Sequence, residues 1–264
     1  MKVRSLTLAS AVLFGMVIVV VTAAPAEAAT TINYVALGDS YSSGVGADGY
    51  DPGSCSRTPR AYAPLWVAGH TVASFTFAAC SGAKTDDVRN SQLGSLNPST
   101  TLVTITIGGN DAGFVNVVTT CILGTDGSCR WMVDGAKWYI QNVLPGKLDQ
   151  TYGAIRGRAP NARLVVLGYP RLFELTSSCN VFGLDLAKRT MMDGAADTMA
   201  GVLAARAAAA GATYVDVRNA FAGHGICSAD YWINPTTWPI TNSYHPTANG
   251  YRYAYLPSLV GVTG

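Results

Sequence analysis

The sequence is poor in charged residues and has no cluster of basic ones. It contains 18 Lys and Arg and 16 Asp and Glu, so charged residues make up 13% of the chain and the net charge is +2. Proteins that bind the nucleic-acid backbone concentrate Lys and Arg along one stripe or face. The sequence shows no such stripe, so we expect no nucleic-acid partner. The weak net charge is compatible with an uncharged or mixed substrate.

Only one long apolar run is present, and it lies near the start of the chain. A positively charged start precedes the run at residues 6–21, and a small-x-small cleavage site follows at residues 26–28. The alternative is a transmembrane anchor, but polar and small residues interrupt the run and no basic cluster follows it. We therefore predict a signal peptide at residues 1–28, a single domain at residues 29–264 and a secreted, extracellular protein.

Close cysteine pairs of the C-x-x-C kind are also absent. Zinc sites are built from such pairs, so we expect no metal. An even number of cysteines in an exported chain predicts three disulfides, for which the sequence alone allows 15 pairings. One pair, Cys121 and Cys129, flanks a short Gly-rich stretch that is easily closed as a local loop. The six cysteines are Cys55, Cys80, Cys121, Cys129, Cys179 and Cys227.

Short apolar segments alternate with helical stretches along the rest of the chain. The segments lack strict alternation, which is typical of strands that are buried on both faces. We predict strands at residues 32–37, 72–77, 102–107, 162–167 and 212–217. We predict helices at residues 131–158, with a break at Pro145-Gly146, at residues 185–210, and at residues 246–256, where Pro246 takes a first-turn position. This order predicts an α/β fold with a central parallel sheet and ligands at the carboxyl ends of its strands.

Ser40 follows the first predicted strand directly, in the segment Gly38-Asp39-Ser40. Gly38 allows a tight turn, after which a helix can begin. A serine at this point presents its hydroxyl at the end of the strand, beside free backbone N–H groups. Ser40 is therefore a candidate nucleophile. The alternative is an ordinary helix N-cap, for which both Ser and Asp are favoured.

A second polar segment, Gly108-Gly109-Asn110-Asp111, follows the strand at residues 102–107. Glycines let the backbone approach a ligand closely, and Asn110 offers a neutral amide donor. Such a donor suits a developing oxyanion because it does not titrate. The alternative is a plain turn, since Gly, Asn and Asp are common turn residues.

The chain has only three histidines, His70, His224 and His245, so a base for Ser40 has few candidates. His245 precedes Pro246 near the C-terminus. A single histidine, taken without other motifs, more commonly has a structural role than a catalytic one. The order of the three motifs along the chain makes His245 the favoured candidate base.

These motifs resemble those of the GDSL, or SGNH, hydrolases, and the resemblance covers nearly the whole predicted mature chain. The glycine of the family's second block corresponds to Gly82. The length and six-cysteine layout look most like the secreted actinobacterial lipase and phospholipase A1 branch. The resemblance implies a three-layer α/β/α sandwich of the flavodoxin-like SGNH hydrolase fold. It also implies three disulfides paired in sequence order: Cys55–Cys80, Cys121–Cys129 and Cys179–Cys227.

The resemblance further implies a serine ester hydrolase, a lipase or esterase, that needs no metal or organic cofactor. His245 takes the proton of Ser40 as the hydroxyl attacks an ester carbonyl, and an acyl-serine forms. The oxyanion is held by the N–H groups of Ser40 and Gly82 and by the amide of Asn110.

One position departs from the family, which usually has Asp three residues before the histidine. This chain has Asn242 there. Our interpretation is that a backbone carbonyl in this segment, from Asn242 or Ser243, orients His245. The Asn242 side chain and a distant carboxylate such as Asp216 are the alternatives.

Two other functions stay open at this point. A carbohydrate O-acetyl esterase shares the family's motifs, and a non-catalytic secreted binding module would share its fold. Aromatic residues near His245 either line an acyl groove, meet a lipid interface, or simply pack in the core. We expect a monomer whose partner is a lipid or another ester substrate.

Overall fold

The computed structural model of the chain describes Met1, residues 31–179 and residues 181–264. The predicted signal peptide at residues 1–28 therefore lies outside the described residues, and it stays a prediction. Residues Thr31–Gly264 form one compact unit.

Five strands form the central sheet, in the order β2-β1-β3-β4-β5. Every neighbouring pair is parallel. The strands are β1 (Asn33–Gly38), β2 (Ser74–Phe77), β3 (Leu102–Thr106), β4 (Arg163–Leu167) and β5 (Thr213–Val215). All five predicted strands are present, and the α/β class with a central parallel sheet is confirmed.

Alternate residues of the strands pack into two separate cores. In β1, Tyr34 and Ala36 belong to one apolar cluster, whereas Val35 and Leu37 belong to the other. Successive side chains of a strand point to opposite faces of the sheet, so the two clusters lie on its two faces. Both faces are covered by helices, which gives the three-layer α/β/α arrangement that the resemblance implied.

The α-helices of the described residues are α1 (Ser40–Ser43), α2 (Tyr62–Ala68), α3 (Thr85–Asp87), α4 (Phe114–Leu123), α5 (Asp126–Asn142), α6 (Leu144–Arg158), α7 (Leu186–Ala209) and α8 (Leu256–Thr263). A π-helical turn, Gly250–Tyr255, leads directly into α8. Within the described ranges, no helix is both long and apolar enough to cross a membrane.

Four predicted helix boundaries were wrong. Helix α5 begins at Asp126 and not at residue 131, and the last helix continues beyond residue 256 to Thr263. The break between α5 and α6 lies at Val143, and Pro145 occupies the first turn of α6, a position that tolerates proline. Pro246 does not open the last helix, because it pairs with Ile233 in an isolated β-bridge. Thr247 acts as the cap instead, since its hydroxyl accepts the N–H of Gly250.

The six cysteines form three disulfides. The pairs are Cys55–Cys80, Cys121–Cys129 and Cys179–Cys227, in agreement with the order that the resemblance implied. The Cys121–Cys129 bridge joins the end of α4 to the start of α5. In the Cys55–Cys80 bridge, Cys80 lies two residues before Gly82.

Candidate active site

A sharp turn presents Ser40 at the carboxyl end of β1. Gly38 has φ +123°, and a Cβ atom there would lie 2.4 Å from the Thr106 carbonyl oxygen, so only glycine fits. Helix α1 begins at Ser40, but its cap is Asp39, whose Oδ1 accepts the Tyr41 N–H at 2.9 Å. The Ser40 side chain is therefore not used as the cap and is free to bond elsewhere.

The Ser40 hydroxyl bonds to His245. The distance from Ser40 Oγ to His245 Nε2 is 2.8 Å, although the two residues are 205 positions apart. The other ring nitrogen, Nδ1, lies 3.0 Å from the Ser243 carbonyl oxygen. With a proton on Nδ1, the lone pair of Nε2 faces the serine hydroxyl, which is the arrangement that a general base requires.

The backbone around His245 is fixed by hydrogen bonds to two other segments, which contain Tyr41 and Asn234. Tyr244 has φ +61°, a left-handed conformation that turns the preceding Ser243 carbonyl back toward the imidazole. The Tyr244 carbonyl accepts the Tyr41 hydroxyl at 2.6 Å, and the His245 carbonyl accepts the Asn234 N–H at 2.9 Å. The histidine loop is thus tied directly to the helix that carries Ser40.

Burial keeps the imidazole neutral. The rings of Tyr41 and Phe114 flank His245, with centroids 5.1 and 6.2 Å from that of the imidazole. Desolvation lowers the pKa of His245 to about 4, against smaller opposing effects of the Ser243 and Thr241 carbonyls. A neutral imidazole is the form that accepts a proton from serine.

The two alternative groups for orienting His245, the Asn242 side chain and the Asp216 carboxylate, bond to other partners. The Asn242 side chain accepts the Tyr50 hydroxyl at 2.7 Å and donates to Asp48 at 2.8 Å, so it holds the loop and does not reach the imidazole. Asp216 is paired with Arg218 at 2.6 Å. Among the described residues, the hydrogen-bond partners of the His245 ring are Ser40 and Ser243.

The other two histidines are engaged in structural contacts. His70 bonds to the carbonyls of Trp66 and Gly264. His224 stacks on Trp232 at 3.5 Å and bonds to the Asp230 carbonyl. Neither of them bonds to Ser40.

Three candidate oxyanion donors come from three different loops. Among the described residues, neither the Ser40 N–H nor the Gly82 N–H donates to a protein acceptor. Gly82 has φ +80°, and a Cβ there would meet nothing within 4 Å. Asn110 donates one amide proton to the Ala83 carbonyl at 3.0 Å, which leaves the second proton available and ties the Asn110 loop to the Gly82 loop.

An apolar pocket extends from Ser40 into the space between three helices. Ser40 and Asn110 both line it, and its volume is about 720 Å³ including the open mouth. Most of its wall is aliphatic: Val117 and Val118 from α4, Ala136 and Ile140 from α5, and Met192, Ala195, Ala196 and Met199 from α7. The sequence did not predict this wall, because apolar residues at these helical positions are equally typical of a helix that packs in the core.

The C-terminal aromatic residues do not line this pocket, contrary to one of the alternatives considered from the sequence. Tyr244, Tyr251 and Tyr255 are buried in the core, whereas Trp238 is 87% exposed. The core-packing alternative is therefore correct for the buried tyrosines.

The sequence model of the GDSL-like lipase/acylhydrolase family matches residues 36–253, which include Ser40, Gly82, Asn110 and His245. The chain belongs to the GDSL-like lipase/acylhydrolase family. It is an ester hydrolase. The match covers β2 to β5, the second half of β1, and the four candidate residues named above.

Relatives of this GDSL-like hydrolase are similar along most of their length. It is 50% identical to Lipase 1 of Streptomyces coelicolor over 91% of this chain and 90% of that protein. The crystal structure of phospholipase A1 from Streptomyces albidoflavus NA297 is 52% identical, with a TM-score of 0.85, over 88% of this chain and 99% of that one. The extracellular lipase from Streptomyces rimosus is 51% identical, with a TM-score of 0.86, over 88% of this chain and 100% of that one.

Proposed function

We propose that this protein hydrolyses the carboxylic esters of lipids through an acyl-serine intermediate, with Ser40 as nucleophile and His245 as general base. The observation that carries the proposal is the 2.8 Å contact between Ser40 Oγ and His245 Nε2 at the end of an apolar pocket. A serine hydroxyl is a weak nucleophile unless a base is within hydrogen-bond reach.

Two steps complete the reaction. The Ser40 oxygen attacks the ester carbonyl carbon while its proton passes to His245 Nε2, and the leaving alkoxide takes that proton as the carbon–oxygen bond breaks. Water then attacks the acyl-serine, gives a proton to His245, and releases the acid while Ser40 regains its proton. In both steps the negative oxygen is stabilised by the N–H groups of Ser40 and Gly82 and by the Asn110 amide.

The Ser243 carbonyl replaces the carboxylate of a standard triad in this proposal. It accepts the Nδ1 proton and so fixes both the tautomer and the ring orientation of His245. A carbonyl carries a partial charge only, so it stabilises the imidazolium less than an aspartate does.

The pocket favours a long acyl chain over an acetyl group. Its wall is mostly aliphatic, and side chains from three helices, α4, α5 and α7, extend it well beyond Ser40. This supports a lipid ester over a carbohydrate O-acetate. Two of the relatives are named a lipase and a phospholipase A1, so neutral lipids and phospholipids are the substrate classes that we propose.

A loop beside His245 is suited to contact a lipid surface. Trp238 and Ile240, which precede His245 in this segment, are 87% and 60% exposed, and residues 231–251 contain no Asp, Glu, Lys or Arg. Tryptophan is favoured where an apolar phase meets water. We propose that the Trp238 and Ile240 side chains make transient contact with the lipid interface. Secretion, after removal of residues 1–28, and a monomeric state are further parts of the proposal.

Three variants test the mechanism. Ser40→Ala and His245→Ala should each lower kcat by at least about 10⁴-fold with the melting temperature near that of the wild type. The double variant should be little worse than either single one, because the pair acts as a unit. His224→Ala is the matched control and should keep its activity. Substantial turnover by Ser40→Ala would remove the proposed mechanism, and a dead His224→Ala would show that the wrong base is assigned.

A further inference from the structure

Tyr169 connects two of the loops that form the site, although it follows a different strand. It lies two residues beyond the end of β4. Its hydroxyl donates to Asp39 Oδ2 at 2.5 Å and accepts the Gly109 N–H at 3.0 Å. Asp39 directly precedes Ser40, and Gly109 directly precedes Asn110. One hydroxyl thus bonds to the residue before the candidate nucleophile and to the residue before the candidate oxyanion donor.

The chain is adapted to this contact on both sides. A Cβ atom on Gly109 would lie 3.2 Å from both Cζ and Oη of Tyr169, so glycine is what allows the ring to approach. Asp39 is 1% exposed, and its other oxygen is used by the Tyr41 N–H. Burial raises the pKa of Asp39 to about 7, and the hydrogen bond from Tyr169 opposes that rise.

The two loops belong to different strands, β1 and β3, and their separation decides whether their donors can serve one oxygen. An oxyanion donor is effective only at about 2.7–3.1 Å from the charged oxygen. A displacement of about 1 Å can lower a rate by roughly 10²-fold. Asn110 is already tied to the Gly82 loop through the Ala83 carbonyl. Tyr169 supplies the corresponding tie to the Ser40 turn.

We propose that Tyr169 is a positioning residue, which acts through Asp39 and Gly109 to hold the Ser40 N–H and the Asn110 amide at the spacing that the oxyanion requires. This inference rests on the proposed function of the same site. Tyr169 also lines the acyl pocket, so its role as a tie must be separated from a role as pocket wall.

Tyr169→Phe separates the two roles, because it keeps the ring in the pocket wall and removes only the hydroxyl. We expect kcat on a medium-chain ester to fall by about tenfold or more, while KM stays within about twofold. In the Asn110→Ala background the same change should have little further effect, since one of the two donors whose spacing Tyr169 sets is then gone. Tyr152→Phe is the matched control: the Tyr152 hydroxyl is buried without a hydrogen-bond partner among the described residues, so its loss should leave kcat unchanged.

Three results for Tyr169→Phe would overturn the proposal. They are a kcat within twofold of wild type, a change in KM without a change in kcat, or a double variant whose loss of kcat equals the product of the losses in Tyr169→Phe and Asn110→Ala. If Tyr169→Phe fails to fold, Asp39→Asn provides the test. It keeps the shape of Asp39 but turns an acceptor toward Tyr169 into a donor, and it should show the same non-additivity with Asn110→Ala. Retained turnover in Ser40→Ala would remove the proposed function itself. An inactive Ser40→Ala with full kcat in the folded Tyr169→Phe removes only the role of Tyr169.

Discussion

The Ser243 carbonyl oxygen lies 3.0 Å from Nδ1 of His245, two residues along the same chain. The left-handed conformation of Tyr244 between them turns the carbonyl toward the ring. In the proposed mechanism the histidine is therefore oriented by its own loop. This loop is in turn held by the Asn242 side chain, which bonds to Tyr50 and Asp48.

Asn242→Ala should cost less than about tenfold in kcat. The substitution leaves the backbone carbonyls in place and removes only the bonds that anchor the loop. Asp216→Asn should cost no more, because Asp216 is paired with Arg218 away from the imidazole. Altering a triad aspartate costs about 10⁴-fold. A loss of a thousandfold or more in either variant, with folding intact, would contradict orientation by the backbone.

The activity should persist into acidic solution. Burial lowers the pKa of His245 to about 4, so the imidazole stays neutral until the pH falls through that value. We expect kcat/KM, which reports the free enzyme, to fall mainly below about pH 5. A second, smaller inflection near pH 7 would report Asp39, whose pKa burial raises to about 7. Asp39→Asn is the control: an inflection near pH 7 that survives in this variant would show that His245 titrates there instead.

The Cys55–Cys80 disulfide should support activity as well as stability. The bridge anchors the turn that carries Gly82: the Ser81 N–H donates to the Cys55 carbonyl, and the Ala83 N–H to the Cys80 carbonyl. Replacing both cysteines by serine should lower kcat and also the free energy of unfolding, the latter by about 2–5 kcal/mol.

The matched control for this disulfide is Cys121→Ser with Cys129→Ser. That bridge joins two helices and spans only eight positions. Its removal should lower the melting temperature with kcat close to wild type. Full activity in the Cys55→Ser, Cys80→Ser variant would show that the disulfide has no part in holding Gly82.

Ala196→Phe should shift the preference toward short acyl chains. Ala196 lines the pocket from α7, and a phenyl group there would occupy space that a long chain needs. Activity on a palmitate ester should fall at least about tenfold relative to an acetate ester. Ala205→Phe, at an exposed position of the same helix, is the control and should leave the profile unchanged. An unchanged profile in Ala196→Phe would mean that the acyl chain binds elsewhere.

The parts of this structure that the sequence predicted are those with local signals. Strands buried on both faces form apolar runs, so β1 and β3 and the polar residues after them were recognisable. The pocket wall was not, because Val117 and Met199 look like any helix core until the helices are packed together. Tyr169 was visible only as part of a loop after the fourth strand. Its partners Asp39 and Gly109 are 130 and 60 positions away, and no local pattern reveals such contacts.

The loop before the last helix shows the same limit. Proline is favoured in the first turn of a helix, yet Pro246 forms an isolated β-bridge with Ile233 instead. That contact also shapes the segment that carries His245. Tertiary pairing therefore overrode a local preference at a position next to the candidate base.

The most direct test of the account is covalent labelling by a serine-directed phosphonate, followed by peptide mapping. The account predicts one phosphonate per molecule on the peptide that contains Ser40, loss of activity in proportion to labelling, and no labelling of Ser40→Ala. His245→Ala should label far more slowly, because the base that activates Ser40 is missing. A label on another residue, or full labelling and turnover by Ser40→Ala, would contradict the assignment of Ser40 as the nucleophile.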